Sequence, residues 1–347
     1  MDSLTQVALG AAVSVAVMGR RTAAWKAALW GAIAGTLPDL DAFIDHGDPL
    51  LNMVRHRAES HSLLLLTLFS PLLAWLAWRL HGGGSRQRWW MAMWLALVTH
   101  PLLDTMTVYG TQLLQPFSDY PFAIGSVFII DPAYTLPLLA GVIAALAWRG
   151  RTRGLRWNLV GLVLSTAYLG WSVAAQQWAT HAARASLQAQ GIAAERLLVT
   201  PAPFNTVLWR LLAITPSHYY EGYYSLMDPQ PTIRWLAHDR GPALIERHGG
   251  AIPVARLAAF SHGFYRLRET PDGRLHVADL RMGQEPDYTF NFDVGPVDAV
   301  GSEPPSFRSS RPDTYRALAW MWERLWGADL LPMGAALAQQ QAGDPPR

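Results

Sequence analysis

Six side chains among the His, Asp and Glu of the first 104 residues stand out as candidate ligands for divalent cations: Asp39 and Asp41 in Pro-Asp-Leu-Asp, His56 and His61 in His-Arg-Ala-Glu-Ser-His, and His100 and Asp104 in His-Pro-Leu-Leu-Asp. Imidazole nitrogens mixed with carboxylates suit zinc, and after it manganese or iron, and the set is large enough for one or two ions. His100 and Asp104 are four residues apart and share one face of a continuous helix. Pro101 between them disturbs a helix interior and is tolerated near a start, which points to a new helix beginning at this turn. His56 and His61 would be splayed by about 140° on a straight helix of about 3.6 residues per turn. His56 is therefore expected in a loop, and His61 at the start of a helix capped by Ser60 or Ser62. Asp39, Asp104 and Glu59 are the candidate catalytic carboxylates, the first two holding metal or accepting protons. Glu59 suits either a general base or a surface ion pair. Arg55 and Arg57 suit either a bound phosphate or Glu59, and Tyr109 lies in a turn expected to close over the site.

The elements that must position these groups are apolar. Six stretches, 4–18, 23–37, 62–80, 89–103, 122–148 and 157–173, approach the roughly 20 apolar residues that cross a bilayer as a helix, the short ones needing protein neighbours. Gly31 and Gly35 stand at the spacing that lets helices pack closely. Basic residues collect in three connections, at Arg20, Arg21 and Lys26, at Arg79, Arg86 and Arg88, and at Arg149, Arg151, Arg153 and Arg156, which marks the cytoplasmic side. The alternate connections, 38–61 and 104–121, hold only Arg55 and Arg57 and are expected to face outward with the N-terminus. All six candidate ligands then share one membrane face, where ionisable groups are costly unless paired, hydrated or bound to metal.

Composition agrees: 51% hydrophobic against 16% charged residues is too apolar for an ordinary soluble pair of domains. A formal charge of +2 without a basic stripe gives no case for nucleic acid. The absence of Cys removes thiolate chemistry and cysteine-ligated metals. The expected architecture is an α-helical membrane bundle of about six spans over 1–175, then a periplasmic α+β domain over 176–330 containing a small antiparallel sheet. A poorly ordered tail is expected over 331–347.

The stretches MDSLTQVALG (1–10), GAIAGTLPDLD (31–41), HRAESHS (56–62), THPLLDTMTVYGTQLLQPF (99–117) and FIIDPAYTLPL (128–138) resemble the YdjM-like family of bacterial inner-membrane metal-dependent hydrolases. The spacing of His100 and Asp104 is also similar to that of zinc-dependent phospholipase C. That resemblance implies His61, His100 and Asp104 as ligands, completed by Asp39, Asp41 and His56. The family's opening has His where this chain has Gln6, so Gln6 is expected either to leave one metal position weaker or to hydrogen-bond a substrate or water.

In the second half, 196–200, 253–260, 264–269, 275–281 and 288–294 read as strands, and 180–190, 233–248 and 314–326 as helices. Thr270-Pro-Asp-Gly273 reads as a hairpin turn, and 301–312 as a loop. The expected function is metal-dependent hydrolysis of a phosphoester or other ester of a lipid or envelope precursor at the outer face of the inner membrane. The alternative is a non-catalytic membrane protein with a structural metal and a partner-binding periplasmic domain.

Overall fold

The computed structural model describes residues 1–230, 233–308, 310 and 313–337. The chain divides into two compact units, the first made of Met1–Ile44, Arg55–Val173 and Pro203–Asn205, the second of Asp45–Val54, Ala174–Ala202 and the residues from Thr206 onward.

The first unit is helical. The helices in chain order are α1 (Ser3–Met18), α2 (Ala24–Thr36), the short α3 (Pro49–Arg55), which up to Val54 belongs to the second unit, α4 (Leu63–His81), α5 (Arg86–Asp104), α6 (Pro132–Ala147) and α7 (Thr152–Ala189), the last running on into the second unit. Local chemistry fixes their starts. The side chain of Asp2 accepts from Thr5 N at the head of α1, Ser62 from Leu65 N at the head of α4, and Asp131 from Ala133 N at the head of α6. α1 and α2 meet backbone to backbone. A Cβ built on Gly10 would lie 2.2 Å from the Gly31 carbonyl oxygen, and one on Gly35 2.5 Å from that of Gln6. Ala12, Val15, Met18, Ala34, Trp89, Met93, Leu97 and Leu138 fill the core behind this seam.

The expectation of six spans is corrected. Among the described residues two helices, α4 and α7, are long and apolar enough to cross a membrane. The 13 residues of α2 reach only about 20 Å at 1.5 Å per residue, short of a hydrocarbon core of about 30 Å. α1 and α6, with 16 residues each, also fall short, and α5 carries Arg86, Arg88, His100 and Asp104 within its 19 residues. The apolar run from 122 becomes helical only at Pro132, because Pro121 and Gly125, at φ 70°, break its first part into loop.

Among its described residues the second unit carries two four-stranded antiparallel sheets and a two-stranded one, rather than a single small sheet. β1 (Arg196–Pro201), β2 (Leu208–Ile214), β3 (His218–Ser225) and β4 (Leu236–Asp239) form a meander in sequence order. α8 (Pro242–His248) and α9 (Ile252–Phe260) follow. Then come β5 (Tyr265–Glu269), β6 (Arg274–Asp279), β7 (Gly283–Gln284), β8 (Asp287–Tyr288), β9 (Asn291–Pro296), β10 (Ser306–Phe307) and α10 (Thr314–Leu325). The second sheet has the order β10-β9-β6-β5. Gly273, at φ 72°, closes the expected Thr270–Gly273 turn, with its N–H donating to Thr270 O at 2.9 Å. Residues 253–260, expected as a strand, are helical, with Val254, Leu257 and Phe260 buried along one face. The expected helix over 233–248 begins only at Pro242, after Gly241, and β4 occupies its first part. Met333 and Leu337 are buried beside Trp320, so packed chain continues past 330. Residues 338–347 of the expected tail, and 309, 311 and 312 of the expected loop, lie outside the described residues.

Candidate metal centre

Three segments of the first unit bring the candidate ligands together. α5 continues through Pro101, with Thr105 N donating to Pro101 O at 3.1 Å, so His100 and Asp104 do share one helix face and no new helix begins between them. After α2 the chain tightens into a 3₁₀ turn, Pro38–Phe43, that carries Asp39 and Asp41. A second short 3₁₀ turn, Glu59–His61, delivers His61 immediately before its neighbour Ser62 caps α4.

Asp39, His61, His100 and Asp104 each offer one ligand atom, and these atoms all lie within 4.8 Å of one another. The two Nε2 atoms of His61 and His100 face each other at 3.1 Å. Asp39 Oδ1 is 3.5 Å from His61 Nε2 and 3.4 Å from His100 Nε2, and Asp104 Oδ2 is 3.3 Å and 3.5 Å from the same two atoms. A tetrahedral ion with bonds of 2.0–2.2 Å separates its ligand atoms by about 3.3–3.6 Å, and these five separations, 3.1–3.5 Å, come close to that. Asp104 Oδ2 is buried and accepts no hydrogen bond of good geometry, its nearest charged neighbour being Arg57 Nε at 3.2 Å. His100 Nδ1 lies 2.7 Å from Gly35 O. A carbonyl can only accept, so the proton sits on Nδ1 and the Nε2 lone pair is left for the centre.

The remaining candidates surround this group without entering it. Asp41 Oδ1 accepts from His56 Nδ1 at 2.8 Å, and its Oδ2 accepts from Arg57 N at 2.9 Å and from Ser60 Oγ. That second oxygen also lies 3.5 Å from His61 Nδ1. Asp41 and His56, expected as ligands, are thus an outer pair that orients the 56–61 loop and His61. Gln6 is fully buried, and its Nε2 donates to Asp104 Oδ1 at 3.0 Å and to His100 O at 3.3 Å. The α-amino group of Met1 donates to the same Asp104 oxygen. Arg57, buried and in the left-handed region at φ 68°, places Nε 3.2 Å from Asp104 Oδ2 and its guanidinium over the Tyr109 ring. Tyr109 also packs edge-on against His56. Arg55 and Glu59 form an exposed pair at 3.7 Å, which is the surface reading of Glu59. Sequence reasoning offered Ser60 only as a helix cap and missed Gly35 O and Thr107, the last accepting from Arg57 Nη1 at 3.2 Å. Main-chain carbonyls and hydroxyls carry no distinctive signal in a sequence.

The electrostatics follow from this packing. Burial alone would push the Asp39 and Asp41 carboxyls up, but the imidazoles of His100 and His61 beside Asp39, and of His56 and His61 beside Asp41, hold both well below the usual carboxylate range. Burial pulls His61 down, and the carboxylates of Asp104, Asp39 and Asp41 outweigh it and raise its pKa to about 9. The centre is therefore anionic at its oxygens and holds a proton that a cation would displace.

The first unit thus combines a buried His and Asp group that could hold a metal with a helix long and apolar enough to cross a membrane. The family described as YdjM inner membrane protein matches residues 1–179, more than half of the 347 residues, and the chain belongs to that family. It is also similar to the uncharacterized protein YfhP of Bacillus subtilis (strain 168), with 26% identity over 175 residues, 49% of this chain and 53% of that protein. The chain thus spans about half the length of the curated relative it matches. No solved structure matches it.

Proposed function

We propose that the chain is a metal-dependent hydrolase of the bacterial inner membrane, acting on a phosphoester or other ester of a lipid or envelope precursor. The observation that carries this reading is the convergence of Asp39, His61, His100 and Asp104, whose ligand atoms all lie within 4.8 Å of one another. A divalent ion held there, zinc before manganese or iron for this donor set, would supply Lewis-acid polarisation of an ester oxygen and a water acidic near neutral pH. Asp39, 21% exposed where the other three ligands are fully buried, lies on the side from which an ester would approach. Arg57 would bind a phosphoryl oxygen beside Asp104. His56, its Nδ1 held by Asp41, would present Nε2 as the proton carrier to the leaving group. The similarity of the His100 and Asp104 spacing to that of zinc-dependent phospholipase C supports the phosphoester class. The arginines beyond α4 and before α7 support a cytoplasmic location for those ends, which leaves the centre and the second unit on the periplasmic side.

The burial of three ligands favours a second reading, a closed structural metal in a membrane protein whose second unit binds a partner. Elemental analysis of the detergent-purified protein, with hydrolysis of phosphodiester and carboxylester lipids, separates the two. The hydrolase reading expects about one ion per chain and turnover, both lost in His100→Ala and Asp104→Asn. Turnover surviving both substitutions removes the centre from the mechanism. A bound ion whose loss melts the protein, with no turnover on any ester, establishes the structural reading instead.

A further inference from the structure

At the other end of the first unit's helices, five arginines form no ion pair with a carboxylate among the described residues. Arg20, Arg149, Arg151 and Arg153 line a cavity of about 500 Å³ that also includes Thr152. Arg20 and Thr152 are shared with an adjoining cavity of about 310 Å³ between α1 and α7, lined by Val15, Ala16, Leu155 and Leu159 and edged by Arg156. Residues 3–38 and 132–194 contain no Asp or Glu, so neither strand of chain around the cavity can neutralise these guanidinium groups locally. The turn that presents them is built into the packing. Arg149 and Gly150 both adopt left-handed backbone, at φ 47° and 69°, and Gly150 is packed against Ala24, where a Cβ would meet that side chain at 3.3 Å. A non-glycine residue in that region persists where its surroundings over-determine it. Arg153 is further steadied over the Trp148 ring at 5.0 Å.

The two cavities together pair a cationic bowl with an apolar trough, and the bowl lies at the first turn of α7, a helix fit to span a bilayer. Gln6 and Arg20 are separated by 14 residues along and just past α1, about 21 Å at 1.5 Å per residue, so this site is distinct from the metal centre. We propose that it binds an anionic phospholipid, with the headgroup phosphate among Arg20, Arg149, Arg151 and Arg153 and one acyl chain along Val15, Ala16, Leu155 and Leu159. A free phosphate would use the bowl and leave the trough empty, whereas a bilayer lipid satisfies both.

The test uses the full chain in nanodiscs and in detergent, with phosphatidylglycerol, phosphatidylcholine and inorganic phosphate as probes. Phosphatidylglycerol is expected to co-purify and to raise the melting temperature, and phosphatidylcholine to do neither. Changing Arg149, Arg151 and Arg153 together to Gln is expected to weaken phosphatidylglycerol retention at least about tenfold. Leu159→Trp, which fills the trough and keeps every charge, is expected to weaken it as well. Changing Arg79 and Arg88 to Gln, charges near the membrane that do not line the cavity, is expected to leave it unchanged. Equal losses from the two arginine sets would reduce the effect to general surface charge and overturn the site. So would unaltered retention in Leu159→Trp, or a stabilisation by inorganic phosphate equal to that by the lipid.

Discussion

His100 Nδ1 donates to Gly35 O at 2.7 Å, tying a ligand on α5 to the glycine through which α2 presses on α1. A Cβ at Gly35 would meet Gln6 O at 2.5 Å and force the two helices apart. Gly35→Ala should therefore destabilise the unit by about 1–3 kcal/mol and lower metal affinity about 10–100-fold by loosening His100. Gly170→Ala, where a Cβ meets nothing within 4 Å, is the control. Full metal content and an unshifted melting curve in Gly35→Ala would show that the seam does not set the centre.

Asp41→Asn keeps the shape of the side chain and removes the charge that receives His56, Arg57 N and Ser60. Metal affinity is expected to fall about 10–100-fold, as for other groups that orient a ligand from behind. Glu59→Gln, at an exposed pair, should leave it within error. Competition with a chromogenic chelator measures both.

Gln6 stands against Asp104 and His100 with its own Oε1 unpaired. Gln6→His would place a nitrogen donor there in its stead, and the expected outcome is tighter metal retention through dialysis than in the parent. Gln6→Ala should release metal faster, because Asp104 loses a donor that fixes it. The order of dissociation rates, alanine above parent above histidine, is the measurable claim.

In the second unit, burial would raise Glu285, but the charge of Arg266 and hydrogen bonds from Tyr219 and Arg266 hold its carboxyl below the usual range. The folded state then binds fewer protons than the unfolded one as pH falls through the ordinary glutamate range. Its stabilisation is present above about pH 4.3 and is lost as pH drops through the lower, folded value. Glu285→Gln should unfold more easily in urea at pH 7. It should also lose less additional stability than the parent between pH 5 and pH 3.

Much of the centre was legible in the residues themselves. Four-residue spacing put His100 and Asp104 on one face, and Ser62 marked the start of α4 just after His61. The separate roles of Asp39 and Asp41 were not legible. Two residues on a 3₁₀ turn point about 120° apart, so only one can face the centre while the other meets the loop, and nothing in Pro-Asp-Leu-Asp says which. The strand β2 was invisible for a related reason. Leu-Trp-Arg-Leu-Leu-Ala-Ile is buried on both faces, so it lacks the alternation that identifies a half-exposed strand. Residues 253–260 went the other way, because a short apolar run has no period long enough to tell helix from strand.

The burial of the ligands also sets how the centre exchanges its contents. With His61, His100 and Asp104 sealed and Asp39 in contact with solvent, traffic is one-sided. An ion held there would enter and leave past a single carboxylate, Asp39, at the start of the 3₁₀ turn. Chelators would then extract it at a rate set by the opening of Pro38–Phe43, independent of their own affinity and concentration once that opening is limiting. The centre would behave kinetically as a trap with one door.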